Sequence, residues 1–456
     1  AAAIPPRRRS RAMVLALTCA VQNYDWGVVG DSEVSSLGEA NAGVASDATK
    51  PHAELWMGTH PSGPSVVVGT GAGLKETIAS DARAHLGERV LERFGPDLPF
   101  LTKVLSVAKA LSIQAHPDKK LAAKLHASNP AAYKDDNHKP EMTLAVTPFE
   151  SLCGFVCHND MAKNLTEVPE LAAVAGEAAE DFLGYMPNSV GWVPAASRRR
   201  IKGVFAAVMR AEKPEIEHAV ETLQKRLSAA DPATLRDVDT LALRLCEQYP
   251  KDVGVLCAYL LNYVTLEPDE CIYLAANEPH AYLAGTCIEC MATSDNVVRA
   301  GLTPKLRDVD VLVEMLTYAC GPTKILRGDV VDEKTRRYVP PFDEFQLETI
   351  NLGPNDVYDV AVSKGPCVYL VREGGGTVNG TTGTEAMEAK RGGVFFSSAG
   401  EAVRFAASAE GMRAHRAMIN DWVFSDVPRP PKWKENDVEG WRAYEHGRRE
   451  DDDEYA

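Results

Sequence analysis

The chain has 456 residues, 45% of them apolar, enough for two to four domains with a core each at roughly 100 to 200 residues per domain. Aspartate and glutamate outnumber lysine and arginine 64 to 49, a formal charge of −15 that argues against a nucleic-acid partner but leaves room for a small anion held by a few converging cations. No apolar run reaches the ~20 residues of a membrane span, and the ten cysteines are scattered through apolar runs, which suits a reducing cytoplasm better than a disulfide scaffold.

Residues 1–13 are rich in Ala, Pro and Arg and hold no acid, so a disordered leader is expected, either a transit-peptide fragment or upstream translated sequence. From Val14 to about Phe155 short apolar runs alternate with Gly, Pro and Asn or Asp, as in Glu54-Leu-Trp-Met-Gly-Thr-His-Pro, which predicts strands and turns. Within this stretch, Leu111-Ser-Ile-Gln-Ala-His-Pro-Asp-Lys-Lys is the most informative run. In an extended strand Ser112, Gln114 and His116 share one face and Leu111, Ile113 and Ala115 the other. Pro117 and Asp118 end the strand, and Lys119 to His126 has the composition of a helix. Further on, His138, Lys139 and Glu141 crowd a Pro-bounded strand start, where a carboxylate can reach a metal and a lysine an anionic substrate. Taken singly, each run is also what a solvent-facing strand or a charged loop looks like.

Residues 158–265 read as a helical insertion. Ile216, Ala219, Val220, Leu223 and Leu227 recur at helical spacing behind Pro214 and Glu215, and Leu241, Leu243 and Leu245, then Val253 to Leu261, suggest more buried helix. Strands resume at Cys271-Ile-Tyr-Leu, Ala281-Tyr-Leu and Cys287-Ile-Glu-Cys-Met, with a helix near Asp308 to Leu316. Cys287 and Cys290 form a C-x-x-C without a second pair at zinc-ribbon spacing, so buried free thiols are expected. His280 follows a Pro279 turn. Asp295, Arg299 and Lys305 lie in a polar stretch, where the arginine fork and the lysine point charge suit a phosphate. Residues 331–430, with short strands and Gly-rich turns, read as a jelly-roll β-domain, and 431–456 as a solvated acidic tail. Two histidines, a glutamate and a glutamine at strand edges supply donors that zinc accepts, but spacing alone does not bring Glu141 or His280 to Gln114 and His116.

The runs Gln22-Asn-Tyr-Asp-Trp-Gly, Ala53-Glu-Leu-Trp-Met-Gly-Thr-His-Pro, Gln114-Ala-His-Pro-Asp-Lys, His138-Lys-Pro-Glu, Pro279-His-Ala-Tyr and Glu289 through Gly301 resemble, in order, the type I phosphomannose isomerases. The resemblance extends from about Val21 to the C-terminal barrel; Glu278 before Pro279 and the segment from Gly374 to Gly393 depart from it. It implies a mostly β fold: a split cupin-like catalytic jelly-roll barrel (14–157 and 266–330), an α-helical insertion domain and a C-terminal cupin-like barrel. It also implies one zinc ion per chain on Gln114, His116, Glu141 and His280. Catalytic positions would be Arg299, Lys139, His138 and Asp295, and substrate-binding positions Ser112, Lys305, Tyr282 and Glu289. The implied reaction interconverts mannose 6-phosphate and fructose 6-phosphate through an enediol, supplying mannose for GDP-mannose and glycosylation. A cytoplasmic monomer with a small phosphorylated sugar as substrate, and no nucleic-acid or membrane partner, is the corresponding expectation. Two other readings of the residues are a non-enzymatic sugar-binding cupin, which leaves Lys139, Asp295, Arg299 and Lys305 without a shared purpose, and an iron centre for oxygen-dependent or hydrolytic chemistry.

Overall fold

The computed structural model describes residues 13–185, 195–380 and 385–426; the first twelve leader residues and the tail 431–456 lie outside them. Two ten-stranded sheets, built from antiparallel ladders, dominate. The first takes the order Leu261–Leu266, Phe149–Phe155, His280–Ala292, Phe100–Val107, Glu54–Met57, Ala20–Gln22. The 13-residue strand His280–Ala292 also pairs with Ile113–Ala115 and Glu141–Ala145, so the sheet folds back on itself as a cupin-like jelly roll.

That long strand carries a bulge. Ser151 opposes Tyr282 and Glu150 opposes Ala284, so one residue is extra on the long strand, and Gly285 follows with φ +106°. A Cβ at Gly285 would sit 2.4 Å from the Pro148 carbonyl oxygen, so only glycine fits. Side chains alternate along a strand, and one inserted residue reverses which parity faces inward. Even-numbered His280 and Tyr282 therefore face the same interior as odd-numbered Cys287 and Glu289. Tyr282 and Cys287 share an apolar floor with Leu105, Phe149 and Ile272, while Cys290 lies on the opposite face with Ile288. All ten cysteines are free and all but Cys157 are buried, which matches the expectation for the C-x-x-C pair.

Between Phe149–Phe155 and Leu261–Leu266 the chain makes its helical insertion. The helix Lys213–Ser228, with Pro214 in its first turn, buries Ile216, Ala219, Val220, Leu223 and Leu227, the stripe read from the sequence. Val253 to Leu261 departs from the expected helix: only Gly254–Cys257 is helical, and a strand begins at Leu261. These residues are buried on all sides, so their apolar run carries no period to separate helix from strand. Among the described residues no helix is long and apolar enough to cross a membrane.

The second sheet holds the strands after residue 328 and, at its far end, two from the start of the chain. Val14–Thr18 pairs with Val394–Ser397 on one side and Val66–Val67 on the other. Between the two barrels runs a shared core containing Leu55, Met142 and Leu144 from one side and Leu17, Phe342, Phe345 and Leu370 from the other.

Candidate metal centre and active site

His116 follows the short strand Ile113–Ala115, Glu141 opens the strand Glu141–Ala145 and His280 opens the long strand. The three bring one ligand atom each within 4.8 Å of one another, and all are buried. His116 Nε2 lies 3.3 Å from Glu141 Oε1 and His280 Nε2 3.2 Å from Glu141 Oε2. The remaining ring nitrogens are committed: His116 Nδ1 donates to the Asn296 carbonyl at 2.7 Å and His280 Nδ1 to the Glu278 carbonyl at 3.1 Å. That fixes the tautomer with both Nε2 lone pairs aimed at the carboxylate, as metal-ligating histidines are held. His116 Nε2, Glu141 Oε2 and His280 Nε2 are buried without a hydrogen-bond donor. Three converging acceptors without a donor are costly unless a cation sits among them.

Asn277, with φ +62°, ties the two histidine loops together. Its backbone N–H donates to the His116 carbonyl at 2.7 Å, and its side chain brackets Asp118 through the Asp118 N–H (3.1 Å) and Oδ2 (2.9 Å). Gln114 opposes both His280 and Arg299 in register, so these three side chains share a face; Ser112 Oγ donates to Gln114 Oε1 at 3.5 Å.

Burial pushes the His116 imidazole down to about 4, which keeps it in the neutral form that ligates. Burial opposes the charge on Glu141 as well, but Lys139 and His116 hold its carboxyl well below the usual range. Lys139 Nζ stands 3.2 Å from Glu141 Oε1.

Beside this group lies a second buried charge system. Lys103 Nζ is 2.8 Å from Glu289 Oε2 and 3.2 Å from Glu54 Oε2, and Trp56 Nε1 donates to Glu54 Oε2 at 2.5 Å. Burial disfavours the lysine charge, yet Glu289 and Glu54 outweigh it and hold the ammonium above its ordinary range. Glu289 is shifted upward, first by burial and then by the like charges of Glu141 and Glu54. Thr143 opposes Glu289 in register and donates to the Tyr282 hydroxyl at 2.5 Å.

The interior thus unites His116, Glu141, His280, Lys139, Glu289 and Tyr282, with Gln114, Ser112 and Arg299 on the adjoining strands. Burial lowers the Arg299 guanidinium from its ordinary value. Asp295 is half-exposed at the rim, 3.3 Å from His60 Nε2, and feels both Lys139 and Lys103. His138 turns to Glu344 of the C-terminal domain, with 2.7 Å between Nε2 and Oε1. Lys305 stands apart, exposed and lining a cleft of about 410 Å³ with Lys213, Lys251 and Arg307 at the helical domain. Lys103, Glu54 and Glu344 were not singled out in the sequence. A lone lysine in the otherwise uncharged strand Phe100–Val107 is a usable signal for Lys103, because a fully buried strand tolerates a charge only with a partner.

Fold and site together define a cupin-like metalloprotein with a zinc-type His–Glu–His centre inside its first barrel. The family models for the phosphomannose isomerase type I catalytic domain and helical insertion domain match residues 14–158 and 174–261. Mannose-6-phosphate isomerase 2 of Arabidopsis thaliana is 44% identical, over 90% of this chain and 95% of that one; the Candida albicans mannose-6-phosphate isomerase is 40% identical over 86% and 94%. A zinc-bound crystal structure of mannose 6-phosphate isomerase superposes with a TM-score of 0.76 at 31% identity, covering 90% of this chain and all of that one. The chain belongs to the type I phosphomannose isomerases.

Proposed function

We propose that this chain interconverts mannose 6-phosphate and fructose 6-phosphate with one zinc ion on His116, Glu141 and His280, Gln114 completing the set. The observation that carries the proposal is the buried, donor-less trio of His116 Nε2, Glu141 Oε2 and His280 Nε2 in the interior that also holds Lys139 and Glu289. What bound zinc supplies is Lewis acidity for the charge that develops on the sugar oxygens.

Moving the carbonyl between C1 and C2 requires a base to take a carbon-bound proton and return it to the neighbouring carbon through an enediol. Lys139 is the proposed proton carrier. Glu289 offers a second, since burial and neighbouring acids move its carboxyl towards neutrality, where proton exchange is most efficient. Tyr282 and Thr143 line the wall beside it and orient the sugar hydroxyls. Arg299 and Ser112, flanking Gln114, face the phosphate, His138 and Asp295 support Lys139, and Lys305, which stands apart at the helical domain, has no part in this site. The low-lying interior excludes bulk water and strengthens these interactions. The free cysteines suit a reducing cytoplasm. In this role the enzyme supplies mannose units for GDP-mannose synthesis.

The test is a coupled assay in both directions before and after exhaustive chelation. Activity falls to background without metal and returns with stoichiometric zinc; turnover that survives complete zinc removal would falsify the metal role.

A further inference from the structure

His138 precedes Lys139 and lies three residues before Glu141, yet its partner comes from the other barrel. Glu344 lies in the link between the strands Thr335–Tyr338 and Gln346–Leu352 of the C-terminal sheet and is buried. This link is held from several sides. Asn420 Nδ2 donates to the carbonyls of Pro340 (3.1 Å) and Phe342 (2.7 Å), Asp343 pairs with Arg93 at 2.6 Å, and Phe342 packs edge-on against Tyr273 with 5.9 Å between ring centres. Tyr273 in turn opposes Met142, next to Glu141. The Glu344 carboxylate also feels Lys119, which starts the helix just after His116. A buried carboxylate–imidazole pair contributes little net stability compared with apolar packing, so its placement calls for another reason.

We propose that Glu344 is a positioning residue: by accepting from His138 Nε2 it fixes the imidazole tautomer and holds the Lys139–Glu141 run in line, so the C-terminal domain completes the active site. The kinetic part rests on the proposed function of Lys139 and its neighbours; the ring clamp itself does not.

The test uses zinc-loaded full chain with Glu344→Ala, Glu344→Gln, His138→Asn and the double variant His138→Asn/Glu344→Ala. Glu344→Ala lowers kcat about tenfold or more while KM for mannose 6-phosphate stays within about threefold. Glu344→Gln, which keeps a carbonyl acceptor, recovers much of the loss and serves in its place should the alanine variant fail to fold. The double variant is no slower than His138→Asn alone. Nitrogen NMR of the His138 ring shows a protonated Nε2 in wild type and a change of tautomer or exchange in Glu344→Ala. A wild-type kcat in Glu344→Ala, losses that multiply in the double variant, or an unchanged His138 ring spectrum each overturn the clamp. Wild-type protein that does not interconvert the two hexose phosphates overturns the proposed function instead, and the ring spectrum still decides the clamp.

Discussion

Lys103 neutralises two buried carboxylates at once, and its replacement leaves both facing each other without a cation. Lys103→Met is expected to destabilise the fold by about 3–5 kcal/mol, read as a lower urea midpoint at unchanged slope. Adding Glu54→Gln and Glu289→Gln to that variant should restore most of the loss, because the unpaired charges and not the missing packing carry the penalty. A single variant within about 0.5 kcal/mol of wild type would show the trio to be dispensable. Legibility at this scale followed the chain's local geometry. Strand alternation relates Gln114 to His116, which follows directly on the short strand Ile113–Ala115. Glu289 and His280 have opposite parity, and only the bulge before Gly285 turns them to one interior, a feature no alternation rule contains. Glu344 was invisible because its partner lies two hundred residues away in sequence.

Specific polar contacts join elements across the domains beside the shared apolar cores. Glu150 on Phe149–Phe155 accepts from Arg244 on the helix Asp237–Gln248 and, at 2.5 Å, from the Tyr263 hydroxyl on Leu261–Leu266. Burial raises this carboxyl, but the Arg244 and Tyr263 hydrogen bonds outweigh it and bring it below the ordinary 4.5. A carboxyl depressed in the folded state contributes stability above its unfolded value, and the contribution fades as pH falls through the folded one. Glu150→Gln should therefore melt lower than wild type at pH 7 by on the order of 1 °C, with the gap closing below about pH 4.5. A gap independent of pH would assign the effect to packing. The buried stripe of the helix Lys213–Ser228 is legible in the sequence because one face is wet and the other dry, whereas Gly254 to Leu261 offers no such contrast.

At the scale of the whole molecule, the barrels share the core that holds Leu17, Met142, Phe342 and Phe345, so neither can expose the face it turns to the other without exposing its partner's. Calorimetry of the zinc-loaded protein should show the two barrels melting in one transition, and well-separated barrel transitions would contradict the shared core. The sequence placed helices between two β-rich halves, which the structure bears out, but it gave no sign that Val14–Thr18 joins the sheet of the opposite half. That strand has a consequence for synthesis. Val14–Thr18 leaves the ribosome well before Val394–Ser397 and meets that partner only when it emerges, tens of seconds later at roughly 5–20 residues per second. Until then the edge of Val14–Thr18 that Val394–Ser397 will cover stands open to pairing elsewhere.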